Sequence, residues 1–152
     1  MNESTTVFVG LDVHKDSIDI ALADAPRDSD VRHLGSVAGG VDAVSKAMRR
    51  LVSAGHRLHI VYEAGPCGFV IWRHLNAQGL RCEVVAPSSI PKRSGDRVKT
   101  DRRDAILLAR LALDRRLHGE GLGAQLLVDA VGRSVDAIRL AGGRLIVDDA
   151  LH

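Results

Sequence analysis

Apolar and polar residues alternate along the first forty positions, and this alternation predicts β-strands. In TVFVGLDVHK (residues 6–15), aliphatic side chains at odd positions share one face, and Asp12 falls on the other. The segment HKDS (14–17) is typical of a tight turn that leads into SIDIALAD (17–24), so the first two strands form a hairpin. A third strand is expected over VRHLGSVAG (31–39), after a polar stretch.

From residue 40 onward, helical periodicity alternates with short apolar runs. The pattern predicts helix, strand, helix, strand and helix, with glycine and proline near the ends of the elements. Three consecutive strands followed by this alternation indicate an α/β fold. Its mixed sheet would be antiparallel at first and parallel later, with helices packed on it. The predicted elements are a helix over 40–55, a strand over 56–64, a helix over 65–79, a strand over 81–87, a polar loop over 88–100 and a helix over 100–116 capped by Thr100.

Composition narrows the class of protein. The chain has 152 residues, of which 45% are hydrophobic and 3% aromatic, so we expect a domain of ordinary size with an aliphatic core. Its net charge of +2 does not by itself indicate a nucleic-acid-binding protein. Cys67 and Cys82 form no CxxC pair, which favours a reduced, cytoplasmic protein and argues against a zinc site. No apolar run is long enough to span a membrane, and the first residues do not resemble a signal peptide.

Four acidic residues occupy positions that neither core packing nor an ordinary surface explains. Asp12 interrupts an apolar strand, and Glu63 ends another. Asp101 and Asp104 lie three residues apart at a helix start, so they share one face. Converging carboxylates are costly unless a cation neutralises them, and hard oxygen ligands suit Mg²⁺ or Mn²⁺. Two such ions about 4 Å apart would support phosphoryl transfer on a nucleic acid.

A simpler interpretation of the same acids stays open. A glutamate at a strand end is commonly solvated, and aspartates at a helix N-terminus interact favourably with the helix dipole. The dipole alone would explain Asp101 and Asp104. Asp12 is the hardest to explain in this way, because it lies within an apolar strand beside Gly10.

Basic residues crowd into the approach to the two helical aspartates. They would contact DNA phosphates next to a metal site, although charge runs of this kind are also common on solvated loops. No aromatic residues are interleaved with them, so a base-stacking platform is not predicted. The candidate nucleic-acid-binding residues are Lys92, Arg93, Arg97, Lys99, Arg102 and Arg103.

Three other polar residues receive no role. His14 lies just beyond Asp12 and could assist the site, but a histidine in a turn at a strand end is more often a bystander. Ser88 and Ser89 have no histidine or acid arranged to activate them as nucleophiles.

The segments GLDVHKDSIDIALAD, VYEAGPCGFVIWRHLNAQG and VVAPSSIPKRSGDRVKTDRRDAILLARL carry a specific resemblance. Together they resemble the N-terminal domain of the DEDD transposases, the insertion-sequence "IS one-ten" family, which is related to the Piv DNA invertases. The resemblance covers about residues 6–112. It implies an RNase H-like fold similar to that of the RuvC Holliday-junction resolvase, and the predicted order of strands agrees with that fold.

The resemblance also implies roles for the four acids. Asp12 would be the first metal ligand, Glu63 the second acid, and Asp101 and Asp104 the closing pair. Together they would bind Mg²⁺ or Mn²⁺ and cut or join DNA strands during transposition. The family also implies a guide RNA, a homo-oligomer and a second domain with a nucleophilic serine. That domain is not found in this sequence, so complete recombination is not expected from this chain alone.

A glycine-rich turn follows the last of these segments. In RRLHGEGLGAQLL (115–127), glycines would let backbone N–H groups approach a phosphate at a helix N-terminus, although a flexible hinge would look the same. A helix-like run over 124–142 and a strand over 144–151 come next. The candidate phosphate-binding residues of the turn are Arg116, Gly119, Gly121 and Gly123.

With its flanks, ARLALDRRLHGEGLGAQLLVDAV and GGRLIVDDAL, this turn resembles the acetyl-CoA-binding core of GNAT acetyltransferases over about residues 108–152. The resemblance implies that the turn holds the coenzyme's pyrophosphate. The front half of a GNAT fold is missing, and so is the tyrosine that often acts as the acid, since Tyr62 lies elsewhere. Acetyl transfer by this chain alone is therefore not expected.

The two resemblances overlap at LLARLALD (107–114), which suggests a seam in a chimera. We predict an RNase H-like transposase domain over 1–115 and a C-terminal GNAT-like helix-strand appendage over 116–152. Metal-dependent DNA cleavage or transfer is the first functional hypothesis. The alternatives are an acetyl-CoA-binding remnant and an inactive nucleic-acid-binding fragment.

Overall fold

The first half of the sheet forms from the alternating N-terminal segments, as the sequence predicts. The computed structural model describes residues 5–24, 31–90 and 100–117. Within them, β1 spans Thr6–Val13, β2 spans Ser17–Asp24 and β3 spans Arg32–Ala38. β1 pairs with β2, and β2 with β3, in the antiparallel sense. The predicted hairpin and third strand are therefore confirmed.

The second half alternates helices and strands. Helix α1 spans Val41–Ser53, β4 spans Arg57–Glu63, helix α2 spans Val70–Ala77, β5 spans Arg81–Val85 and helix α3 spans Asp101–Leu117. A 3-10 turn at Pro87–Ser89 follows β5.

Helix α2 begins later than the sequence suggests. The prediction placed its start near Gly65 and Pro66, but the first helical residue is Val70. Gly68 adopts a φ of 58°, and its N–H donates to the carbonyl of Gly65. A left-handed residue interrupts a right-handed helix, so a turn precedes α2.

The five strands form one mixed sheet in the order β3-β2-β1-β4-β5. β4 pairs in parallel with both β1 and β5. The predicted α/β class, antiparallel at first and parallel later, is confirmed. Because β1 is central and parallel to β4, the carboxyl ends of these two strands lie side by side at one edge of the sheet.

The two faces of the sheet carry separate cores. On one face, aliphatic residues of the strands pack against α1 and α2 around the buried Tyr62. On the other face, α3 covers the sheet through small and aliphatic residues. This second core comprises Phe8, Ala21, Ala23, Val61, Val85, Ala105, Leu108, Ala109, Ala112 and Leu113.

Gly10 sets how closely α3 approaches the sheet. It lies on the α3 face of β1, between Phe8 and Asp12. A Cβ atom at this position would overlap the backbone oxygen of Ala105 and the backbone nitrogen of Ala109. Only glycine therefore lets the α3 backbone rest directly on β1, and this close approach brings the start of α3 to the carboxyl end of β1.

Some predicted features lie outside the described residues. Residues 118–152 of the C-terminal appendage predicted over 116–152, and most of the basic loop, belong to this group. In the parts of the chain that the structure covers, no helix has the length and apolar character needed to cross a membrane.

We predict that Gly10→Ala destabilises the domain by about 1–3 kcal/mol, because α3 must move away from β1 to admit the methyl group. Urea unfolding of the purified chain measures the change. Gly65→Ala is the matched control, since a Cβ atom there meets no neighbouring atom. Equal stability of Gly10→Ala and the control would show that α3 does not depend on this contact.

Candidate metal centre

Two strand ends bring acids to the face that α3 covers. Asp12, near the end of β1, is buried, with 9% of its surface exposed. The parallel register pairs Leu11 with Tyr62, so the next residues, Asp12 and Glu63, are neighbours on adjacent strands. Val61 faces α3, and Glu63, two residues further along β4, therefore lies on the same face.

The first turn of α3 supplies the other two acids. Thr100 caps the helix: its side-chain oxygen accepts a hydrogen bond from the N–H of Arg103 at 3.4 Å. Asp101 is exposed and Asp104 half-buried, both in this first turn. The positive end of the helix dipole stabilises their charges, and the contact at Gly10 directs this end of α3 toward Asp12.

His14 connects the strand to the helix. Its Nε2 atom lies 2.9 Å from Oδ2 of Asp12 and 3.2 Å from Oδ1 of Asp101. One ligand atom from each of these three residues lies within 4.8 Å of the other two. The backbone N–H of His14 donates to the carbonyl of Ser17 at 2.9 Å, which fixes the histidine at the turn between β1 and β2.

The sequence analysis considered His14 but assigned it no role. The available signal was its position two residues after Asp12, in the turn that directly follows β1. That spacing alone does not show what the imidazole contacts. The contact with Asp101 depends on where α3 docks, and local sequence does not specify this.

The electrostatics of Asp12 disfavour its charged form. Burial raises the pKa of Asp12 above its ordinary value of 3.8, and the negative charges of Asp104 and Asp101 add to this effect. His14 acts in the opposite direction through its hydrogen bond and its charge, but does not cancel the increase. A cation at the site would remove the conflict among these carboxylates.

Other acids on the same face are paired differently. Asp19, opposite Asp12 on β2, lies 2.7 Å from Nε2 of His33. Burial acts to raise the pKa of Glu83, but hydrogen bonds from His59 and Arg81 outweigh it and lower the pKa to about 2. A raised carboxyl pKa within a cluster of acids is typical of a functional site, whereas Glu83 has the partners of a structural ion pair.

The four predicted acids thus lie in one region of the fold, but their carboxylates are not equally close to one another. Asp12 and Asp101 meet within ligand distance at His14, and Asp104 is near enough to affect the pKa of Asp12. Glu63 lies on the adjacent strand and does not belong to the 4.8 Å group identified among the described residues. Shared metal ligation by all four acids stays a prediction.

The basic candidates lie partly within and partly outside the residues that the structure describes. Arg102 and Arg103 are exposed in the first turn of α3, beside the acids. The other candidate contacts to DNA, Lys92, Arg93, Arg97 and Lys99, lie outside the described residues, as do Gly119, Gly121 and Gly123 of the glycine turn.

The segment shared by the two sequence resemblances is helical. Residues 107–114 belong to α3, as the transposase resemblance implies. The backbone of Arg116 continues the same helix, which the structure describes as far as Leu117. The proposed division of the chain at residue 115 stays a prediction.

The fold defines the chain as an RNase H-like α/β domain. A similar solved structure is that of Thermus thermophilus RuvC in complex with a Holliday junction substrate, with a TM-score of 0.52 and 9% sequence identity. The similarity covers 75% of this chain and 97% of the RuvC chain. A family model described as a transposase, of the DEDD type named for IS110, matches residues 9–126. The chain belongs to this transposase family.

Curated relatives agree with this assignment. Protein y4qE of Sinorhizobium fredii, named as a putative transposase, is 44% identical over 104 residues, which are 68% of this chain and 27% of the relative. The transposase of insertion sequence IS1533 from Leptospira borgpetersenii is 34% identical over 141 residues, 91% of this chain and 40% of the relative. The chain therefore spans less than half the length of these transposases.

A relative of another class also matches. A tRNA-acetylating toxin of Mycobacterium tuberculosis is 34% identical over 135 residues, covering 84% of this chain and 76% of the toxin. A match of this length is not confined to residues 108–152. The match to the toxin agrees with the acetyltransferase resemblance, but it does not define where an acetyltransferase-like segment begins in this chain. The chimera therefore stays a hypothesis.

We predict that Asp12→Asn stabilises the metal-free protein at neutral pH. Because folding raises the pKa of Asp12, its ionised form costs stability above that pKa, and the cost disappears as pH falls toward 3.8. The advantage of the variant should be largest near neutral pH and shrink on acidification. Urea unfolding in the presence of a chelator measures it, with the exposed Asp42→Asn as control. A variant less stable than the wild type at neutral pH would contradict this account.

Proposed function

We propose that this chain is the nuclease domain of a transposase and performs metal-dependent DNA strand cleavage or transfer. The observation that carries the proposal is that Asp12 and Asp101 both lie close to Nε2 of His14. These two aspartates are far apart in the sequence, since one belongs to β1 and the other to α3. A buried carboxylate whose charge is disfavoured, beside two others at a helix start, fits Mg²⁺ or Mn²⁺. Membership of the transposase family adds independent support.

The proposed mechanism assigns separate tasks to the chain's residues. Asp12 and Asp101 would hold the cation, with Glu63 and Asp104 as the further acids of the set. A bound divalent cation supplies Lewis-acid stabilisation of the reacting phosphate. His14 would keep the strand and helix carboxylates together. Arg102 and Arg103, as exposed neighbours, would attract the DNA backbone in a salt-dependent manner.

The partners are proposed on the same basis. The RuvC structure with this fold contains a Holliday junction substrate, so branched DNA is the first substrate to test. The curated transposases are longer than this chain, and we propose that a guide RNA, a homo-oligomer and a serine-bearing domain belong to the complete recombination machinery. We also propose that the protein acts in the cytoplasm, where the thiols of Cys67 and Cys82 stay free.

We expect the full chain to nick branched DNA only when Mg²⁺ or Mn²⁺ is present. Asp12→Ala should lower the rate by roughly 100-fold or more, the scale of removing a group that stabilises transition-state charge. Gel analysis of labelled junctions measures the nicking. Asp42→Ala, an exposed acid on α1, is the matched control and should cut normally. Cleavage that survives Asp12→Ala would show that these acids are not the site.

A second candidate function is acetyl-CoA binding by residues 108–152, favoured by the similarity to the tRNA-acetylating toxin. Glycine-rich turns at helix starts bind phosphates through backbone N–H groups. The turn would use Arg116, Gly119, Gly121 and Gly123 for the coenzyme's pyrophosphate.

Acetyl-CoA should then raise the melting temperature of the full chain, and Gly121→Glu should remove the effect through steric and charge repulsion. Differential scanning fluorimetry measures both, with Asp12→Ala as a control that keeps the response. An unchanged melting temperature, or a response that persists in Gly121→Glu, would exclude this function. Binding of DNA with neither nicking nor an acetyl-CoA response would indicate the inactive nucleic-acid-binding fragment.

A further inference from the structure

His14 lies where a ligand to the proposed cation would lie. Its Nε2 atom contacts one carboxylate oxygen of Asp12 and one of Asp101, at 2.9 and 3.2 Å. A single imidazole nitrogen carries one hydrogen or one lone pair, so it cannot donate fully to both oxygens. A cation among the three atoms would interact with all of them at once.

We propose that His14 is a direct metal ligand, and that Asp12, His14 and Asp101 form a mixed oxygen and nitrogen ligand set. This inference rests on the proposed function, because it names a ligand of the same metal site. It extends that function by adding a nitrogen donor to a site otherwise built from carboxylates.

The distances agree with ligation of one ion. Metal–ligand bonds of about 2.1 Å in octahedral geometry separate adjacent ligand atoms by roughly 3.0 Å. The two contacts of Nε2, at 2.9 and 3.2 Å, lie on either side of this value. All three ligand atoms also lie within 4.8 Å of one another. Small shifts of the side chains would therefore suffice to admit the ion.

The local structure holds the histidine in place while leaving its ring accessible. The backbone of His14 is fixed by the hydrogen bond to Ser17, and 46% of its side chain is exposed. An accessible ring exchanges water for a metal at low cost. Asp12, by contrast, is buried and anchored within β1. The site therefore combines one rigid carboxylate with an adjustable imidazole.

A nitrogen ligand changes which cation the site prefers. Carboxylates suit Mg²⁺ and Mn²⁺, whereas imidazole favours transition metals. We therefore expect His14→Ala to weaken Mn²⁺ binding by about 10-fold or more, while Mg²⁺ binding changes much less. Isothermal titration of the full chain with each ion measures this difference.

The decisive experiment is pulsed electron paramagnetic resonance of the full chain loaded with Mn²⁺. A coordinated imidazole adds a ¹⁴N modulation to the Mn²⁺ signal. We expect this modulation in the wild type and in His56→Ala, whose histidine precedes β4 at the opposite end of the sheet. We expect its loss in His14→Ala. Circular dichroism verifies that each variant is folded, and His14→Gln replaces the alanine variant if that protein does not fold.

The outcomes separate this inference from the proposed function. Bound Mn²⁺ without a nitrogen signal, or with a signal that persists after His14 is replaced, overturns ligation by His14 but leaves a carboxylate metal site intact. Failure of the wild type to bind Mn²⁺ or Mg²⁺ at all overturns both. A nitrogen signal that disappears only in the His14 variants supports both.

Discussion

The direct contact between the backbones of β1 and α3 at Gly10 is the constraint on which the rest of this structure depends. A side chain at this position would overlap backbone atoms of α3, so the helix reaches the sheet only because none is present. The contact closes the second core and carries Asp101 to Asp12. The packing of α3 on β1 therefore determines both the fold and the geometry of the site.

The surroundings of Asp12 disfavour its negative charge, whereas those of Glu83 favour its negative charge. Glu83 is also partly buried on this face, but His59 and Arg81 lower its pKa to about 2 and satisfy its charge. Among the described residues, His14 is the group that opposes the effects of burial and of two neighbouring acids on Asp12, and the pKa of Asp12 is raised. Proteins keep such arrangements where a ligand resolves them, and a divalent cation is the ligand that this donor set fits.

Periodicity in the sequence was sufficient to predict the strands, the helices and the mixed sheet, because each element buries a regular apolar face. It also drew attention to Asp12 and Asp101 through their unusual positions. It did not reveal His14, whose partner on α3 is far away in sequence, nor the late start of α2, which depends on the positive φ of Gly68. Side-chain rotamers decide whether Glu63 would reach the proposed cation, and no sequence pattern encodes them.

The positions of Asp12 and Asp101 in the chain have a consequence for the order of events during synthesis. β1, β2 and β3 are consecutive in the chain, so their antiparallel pairing is local and fast to form. α3 is the last described element to leave the ribosome, and its docking on β1 must close a much longer loop. An incomplete nascent chain therefore cannot assemble the Asp12–Asp101 pair before translation has passed this helix.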